Sequence, residues 1–233
     1  PILGALSLTS AGCSAVEPTG GSASSSTSGA AGADSFGEPA SAADVKDGGE
    51  LVMALSAEPD QLDPALSRSL YSRYVFHAMC QKLYDVDQDA KVVPQLATAL
   101  PTTSEDGKTV TIPVRDDIEF ADGTSFNAEA VKATLERNLT IEGSGRKSEL
   151  GPITDVTAKD SKTVVVTLSK PFAPLTAALT DRAGMVVSPK AAKALGDKFA
   201  TAPVCVGPFK FSKRVPQNSI ELVKDPKFYD ADK

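Results

Sequence analysis

Residues 14–48 are dominated by Ser, Gly, Ala and Thr, with Gly20-Gly21 and Ser24-Ser25-Ser26 and hardly a large apolar side chain. A stretch of this kind buries too little surface to offset the entropy of ordering it, so the composition predicts a flexible tether. Folding is therefore confined to residues 49–233. That length suffices for one large domain or two small ones.

The chain begins with the apolar run Pro1-Ile2-Leu3-Gly4-Ala5-Leu6-Ser7-Leu8, followed by Ser10-Ala11-Gly12-Cys13. Small residues before a cysteine are what a lipoprotein signal peptidase cleaves, although Ser10 stands where an aliphatic residue is usual. Residues 1–13 are read as the remnant of a lipoprotein signal peptide, with Cys13 the lipid attachment site. An ordinary signal peptide carrying a chance cysteine is the alternative. The run is shorter than the roughly 20 residues of a spanning helix. A lipid on Cys13 and the tether after it would hold a soluble domain close to a membrane.

Charge and rare residues exclude several chemistries. Lys and Arg number 24 against 30 Asp and Glu, a net charge of -6, so no overall field favours a nucleic-acid partner. One histidine in 233 residues leaves little for a His-rich metal site or a Ser-His-Asp triad. No P-loop, dinucleotide fingerprint, nucleophile elbow or paired-cysteine zinc motif is present. Acidic pairs such as Asp116-Asp117, or Glu58 with Asp60, read as turn or surface groups. No enzyme, cofactor or metal is expected.

Along the folding part, residues 51–55 form an apolar run that reads as a buried strand. Glu58-Pro59-Asp60-Gln61-Leu62-Asp63-Pro64 carries two prolines and reads as a shaped loop. Tyr71, Val75, Ala78, Met79 and Leu83 recur at helical spacing over residues 69–84, with His77 read as packed or capped beside them. Val110, Ile112 and Val114 alternate as in a strand, and Asn127 precedes a helical stripe of Ala128, Val131, Leu135 and Leu139. Residues 143–151 read as a polar loop with Arg146 and Lys147. Residues 163–168 read as a strand, Ser188-Pro189 to Gly196 as a capped helix, and residues 204–211 and 219–223 as strands. The pattern is α/β or mixed α+β without repeats. If Cys13 is acylated, Cys80 and Cys205 remain as an even pair in an exported chain, which favours a disulfide. Two buried free thiols are the other possibility.

The ordered series Glu58-Pro59-Asp60-x-Leu62-Asp63-Pro64, Leu83-Tyr84-Asp85 and Val93-Pro94-Gln95-Leu96-Ala97 resembles the family 5 extracellular solute-binding proteins of ABC importers. The resemblance continues in Phe120-Ala121-Asp122-Gly123-Thr124-Ser125-Phe126-Asn127, Pro171-Phe172-Ala173-Pro174-Leu175, Gly207-Pro208-Phe209 and Asp225-Pro226-Lys227-Phe228-Tyr229. Cys205-Val206 stands where the family usually has Gly-Thr, and Tyr229 where Trp is common. The resemblance implies a periplasmic-binding-protein-like class II α/β fold, of which residues 49–233 would be the first lobe with its inserted subdomain, the second lobe being absent from this chain.

It also implies capture without chemistry: a monomer that binds a short peptide or similar small solute and delivers it to ABC permease and ATPase subunits from outside the membrane. By family position the segment after Asp63-Pro64 would line the cleft, giving Arg68, Ser69, Leu70 and Tyr71 as ligand-binding residues. Arg146 and Arg182 would join them, and the three arginines together would favour a carboxylate. A surface sensor or secreted enzyme built on the same fold is the alternative.

Overall fold

Burial of one face per element organises the structure, a computed structural model that describes residue 41 and residues 48–231. The expected lipidation signal with Cys13, and nearly all of the expected tether, lie outside the described residues. The chain divides after Val52, and the architecture below is that of Met53–Lys233.

The central layer is a four-stranded antiparallel sheet in the order β3 (Thr102–Thr103), β4 (Thr109–Pro113), β6 (Thr163–Leu168), β5 (Ile153–Asp160). The alternation read at Val110 and Ile112 pairs in register with Val166 and Val164, and these four side chains are buried. Such a sheet, apolar on one face, needs a cover. Helix α2 (Ala128–Thr140) supplies it with Ala128, Val131 and Leu135, all at most 1% exposed. Its start is fixed as the sequence implies, the Asn127 side chain accepting a hydrogen bond from the Ala130 amide at 3.1 Å.

A second core lies around α1 (Leu70–Met79), where Leu62, Val75, Phe76 and Met79 meet Met185, Val187 and Phe199. The Cys80–Cys205 disulfide sits in it, with the two Cα atoms 5.0 Å apart. Around it the Gln81 amide donates to Val206 O at 2.7 Å and the Ala121 amide to Cys205 O at 3.1 Å. Gly207 passes so near the Met79 carbonyl that a Cβ would collide with it. Two hairpins complete the unit: β1 (Tyr84–Val86) with β2 (Val92–Pro94), and β7 (Phe209–Val215) with β8 (Ser219–Lys224).

Several expectations are corrected. Residues 51–55 form no strand; Leu51, Val52 and Met53 are 93%, 80% and 60% exposed, because an apolar run becomes a strand only where a ladder partner exists and none is present among the described residues. Helix α1 stops at Met79 rather than near residue 84. Cys80 is extended, drawn off helical geometry where it joins Cys205, and Leu83 and Tyr84 turn into the sheet core. His77 is exposed in the last turn of α1 rather than packed. Residues 143–151 are not a plain polar loop: α3 (Arg146–Leu150) forms within them and buries Arg146 and Leu150. The strand expected from residue 204 begins only at Phe209, since the disulfide and the close pass of Gly207 hold the residues before it. Two short helices, α4 (Leu175–Ala178) and α5 (Pro189–Leu195), connect the sheet to the second core; α5 begins on Ser188 as expected.

Candidate functional site

A turn at residues 64–66, in which the Leu66 and Ser67 amides donate to Asp63 O at 3.1 and 2.8 Å, delivers the segment of residues 67–71 to the start of α1, and neighbouring side chains hold it there. The Asp60 carboxylate accepts from the amides of Arg68 and Ser69 at 2.7 and 3.3 Å and from the Ser72 hydroxyl at 2.5 Å. Ser69 is the N-cap of α1, its hydroxyl accepting from the Tyr71 amide at 3.0 Å. Upstream, Asp63 is 1% exposed, binds the Ala65 amide at 3.0 Å and forms a two-bond pair with Arg137 at 3.0 and 2.5 Å. Asp60 and Asp63 are thus structural anchors for the segment. Glu58 has a like role, receiving Arg214 from β7 at 2.7 Å.

The six expected ligand residues fall into two groups. Leu70 is 50% exposed, Tyr74 one turn on is 46% exposed, and Tyr71 is half-buried with its hydroxyl taking a bond from Ser56 at 3.1 Å. Arg68 is exposed, but its guanidinium donates to Gly143 O at 3.3 Å, on the α2–α3 connection. Arg146 and Arg182 are 2% and 7% exposed and face the backbone. Arg182 Nη1 donates to Ser67 O at 3.0 Å and Ser69 O at 3.4 Å, while Arg146 Nη2 donates to Ser67 O at 3.5 Å and pairs with Glu149 at 3.0 Å. The expected convergence of three arginines on one open carboxylate site is therefore not the arrangement found. Arg68 bonds elsewhere, and the other two clamp the segment that carries the exposed residues.

Arg73 joins this cluster through a fork on Asp181, at 3.0 and 2.5 Å, and Asp181 stands 4.0 Å from Arg182. Burial lowers the Arg146 pKa from its ordinary value; Glu149 opposes this, Arg182 adds to it, and the weaker effects of Asp181 and Arg73 oppose each other. Arg73 and Arg137 were not singled out by the sequence, and Asp63 entered only as part of the Asp63-Pro64 motif, without its ion pair. Nothing in local spacing marks them, because their partners lie 74 and 108 residues away. An open depression of about 210 Å³ between α2 and α5, lined by Ala133, Thr134, Arg137 and Val187 among others, includes none of the six expected residues. Among the described residues no group of three or more His, Cys, Asp or Glu could hold a metal ion. No helix of the described residues is long and apolar enough to cross a membrane.

The Asp60 anchor should weaken in acid. Burial raises its pKa, but the Ser72 hydroxyl and the amides of Arg68, Gln61 and Ser69 outweigh that and hold it below the ordinary aspartate range. A depressed carboxylate contributes stability above its unfolded value, near 3.9, and loses it as pH falls through the lower folded value. We expect the urea-stability gap between wild type and Asp60→Asn to narrow from pH 5 to pH 3. A gap constant across that window would refute the role given to this carboxylate.

Comparison with known proteins places this geometry in a wider setting. Residues 91–233 match the model of the bacterial extracellular solute-binding proteins, family 5. The glutathione-binding protein GsiB of Escherichia coli (strain K12) is 33% identical over 180 residues, which cover 77% of this chain and 34% of GsiB. GsiB of Pectobacterium atrosepticum is 32% identical over the same share of each. The chain thus spans about a third of the length of these curated relatives. Among solved structures, AgaA from A. tumefaciens R10, in complex with agropinic acid, superposes with a TM-score of 0.69 at 32% identity, covering 75% of this chain and 35% of that one. Haemophilus influenzae OppA in complex with RPPGFSPFR superposes with a TM-score of 0.68 at 21% identity, over 76% and 38%, a likeness of fold.

Proposed function

The chain belongs to family 5 of the bacterial extracellular solute-binding proteins, and from that premise we propose that it is part of the solute-capturing component of an ABC importer. Its solute is a short peptide or a small molecule of similar chemistry. The identity to glutathione-binding GsiB over 77% of the chain carries this reading. In the proposed mechanism two lobes close over the solute by a hinge motion, and the closed form docks on the permease that an ATPase drives. The residues described would form part of one lobe. Leu70, Tyr71 and Tyr74 would meet apolar parts of the solute, and Arg68 and Ser69 its polar groups. Arg146 and Arg182 would act one step back, fixing the carbonyls of Ser67 and Ser69.

The test is mass spectrometry of the protein purified without denaturation and then unfolded to release what it carries. A ladder of short peptide masses is expected. A single non-peptide mass would remove the peptide assignment and leave a dedicated importer of that compound.

We further propose that Cys13 is acylated and that residues 14–48 are the tether between a membrane surface and the lobe. A lipid-carrying chain would localise outside the cytoplasmic membrane and act as a monomer. Labelled palmitate should enter the wild type expressed in a bacterial host and not Cys13→Ala. Quantitative reaction of the Cys13 thiol with a maleimide would contradict acylation.

A further inference from the structure

The arginine clamp leaves donors over. Arg146 Nε and Nη1, Arg182 Nε and the Ser67 hydroxyl are buried and have no hydrogen-bond partner in the protein. Their residues are 2%, 7% and 0% exposed. The three residues adjoin, since both guanidinium groups donate to Ser67 O through their remaining nitrogens. Buried polar groups in native proteins almost always have a partner, and buried guanidinium groups most of all.

Charge and donor count indicate what the partner is. Three cations, Arg73, Arg146 and Arg182, face two carboxylates, Asp181 and Glu149. Asp181 is already taken by the fork from Arg73, and Glu149 bonds Arg146 through Nη2 only. The cluster is left with one uncompensated positive charge. A water molecule would bring two hydrogens needing acceptors, whereas among the leftover groups only the Ser67 hydroxyl can accept, the rest being N–H donors, and Ser67 O already accepts twice. An anion needs donors only.

We propose that Arg146, Arg182 and Ser67 form an internal site for one small monovalent anion beneath the Ser67 to Ser69 backbone. Its chemistry is that of a halide or a single carboxylate group. The orphaned atoms are closed to solvent, which fits an enclosed inorganic ion such as chloride. A carboxylate on a captured solute would reach them only by displacing residues 67–69, and this second source rests on the proposed function. In either case the anion completes the clamp on the backbone that presents Arg68, Ser69 and Leu70. Ion occupancy and the shape of that segment are then linked.

The site is tested by melting the purified protein at constant ionic strength while sodium chloride, bromide or formate replaces sodium gluconate, an anion too bulky for an enclosed site. With the ion about a hundredfold above its Kd, mass action predicts a rise in Tm on the order of 5 °C. Arg146→Gln should abolish that rise while leaving the general salt response. Should that variant fail to fold, crystals of the wild type grown in bromide decide directly: an anomalous peak in contact with Arg146 and Arg182 is expected. A response to formate without one to halides keeps the anion site and makes a carboxylate group its occupant. Identical melting in all four salts, together with no bromide peak, overturns the proposal whatever the released-solute experiment finds.

Discussion

Replacing both Cys80 and Cys205 by Ala lowers the melting temperature by an expected amount on the order of 10 °C or more. The bridge joins residues 125 apart. In the chain-entropy model, closing a loop of that length removes enough freedom from the unfolded chain to stabilise the fold by about 4 to 5 kcal/mol. For a domain of this size each kcal/mol moves Tm by about 2 to 4 °C. The Gln81 and Ala121 amides bond Val206 and Cys205 independently of the sulfurs. The same bonds mean that the reduced protein, below its transition, keeps α1 in place. Thermal unfolding with and without reductant reads the effect in the wild type. Coincident curves, with the thiols shown to be reduced, would mean that the bridge contributes nothing.

The second large effect is expected at Asp63. Its carboxylate side chain is 2% exposed and its partner Arg137 16%. Asp63→Ala removes both bonds to Arg137 and the bond to the Ala65 amide at once. The guanidinium is left over the Phe199 ring, 5.2 Å from its centroid, with no carboxylate. Breaking one side of a buried pair costs about 3 to 5 kcal/mol, most of it the penalty on the charge left behind. Urea denaturation at neutral pH should show that loss. The double variant Asp63→Leu, Arg137→Met should be less destabilised than the two single changes combined, since it leaves no buried charge alone. A loss below about 1 kcal/mol for Asp63→Ala would show the pair to be solvated and weak.

Both sites show where a one-dimensional reading works and where it stops. The Cys80–Cys205 link was legible because only two candidates remained once Cys13 was set aside, so pairing needed no geometry. The α2 helix was legible from Asn127 and its stripe, as were the β4 and β6 strands, because periodicity and capping are local properties. The Asp63–Arg137 and Arg73–Asp181 pairs were not legible, since a charge run along the chain looks the same whether its partner is solvent or a side chain 74 or 108 residues distant. Residues 51–55 failed for a related reason: hydrophobicity favours a strand, but only a ladder partner makes one.

The candidate site divides along the same line. The family, and the proposal that the site lies after Asp63-Pro64, come from the order of motifs along the chain. That order is carried by residues whose roles are local, such as turns, caps and prolines. Tertiary structure alone decided that Arg146 and Arg182 turn inward to the carbonyls of Ser67 and Ser69, leaving three guanidinium donor atoms and the Ser67 hydroxyl unpartnered. Whether an arginine meets solvent, a ligand or backbone depends on what the rest of the chain packs around it. That is a property of burial, and burial is set by residues far apart in sequence.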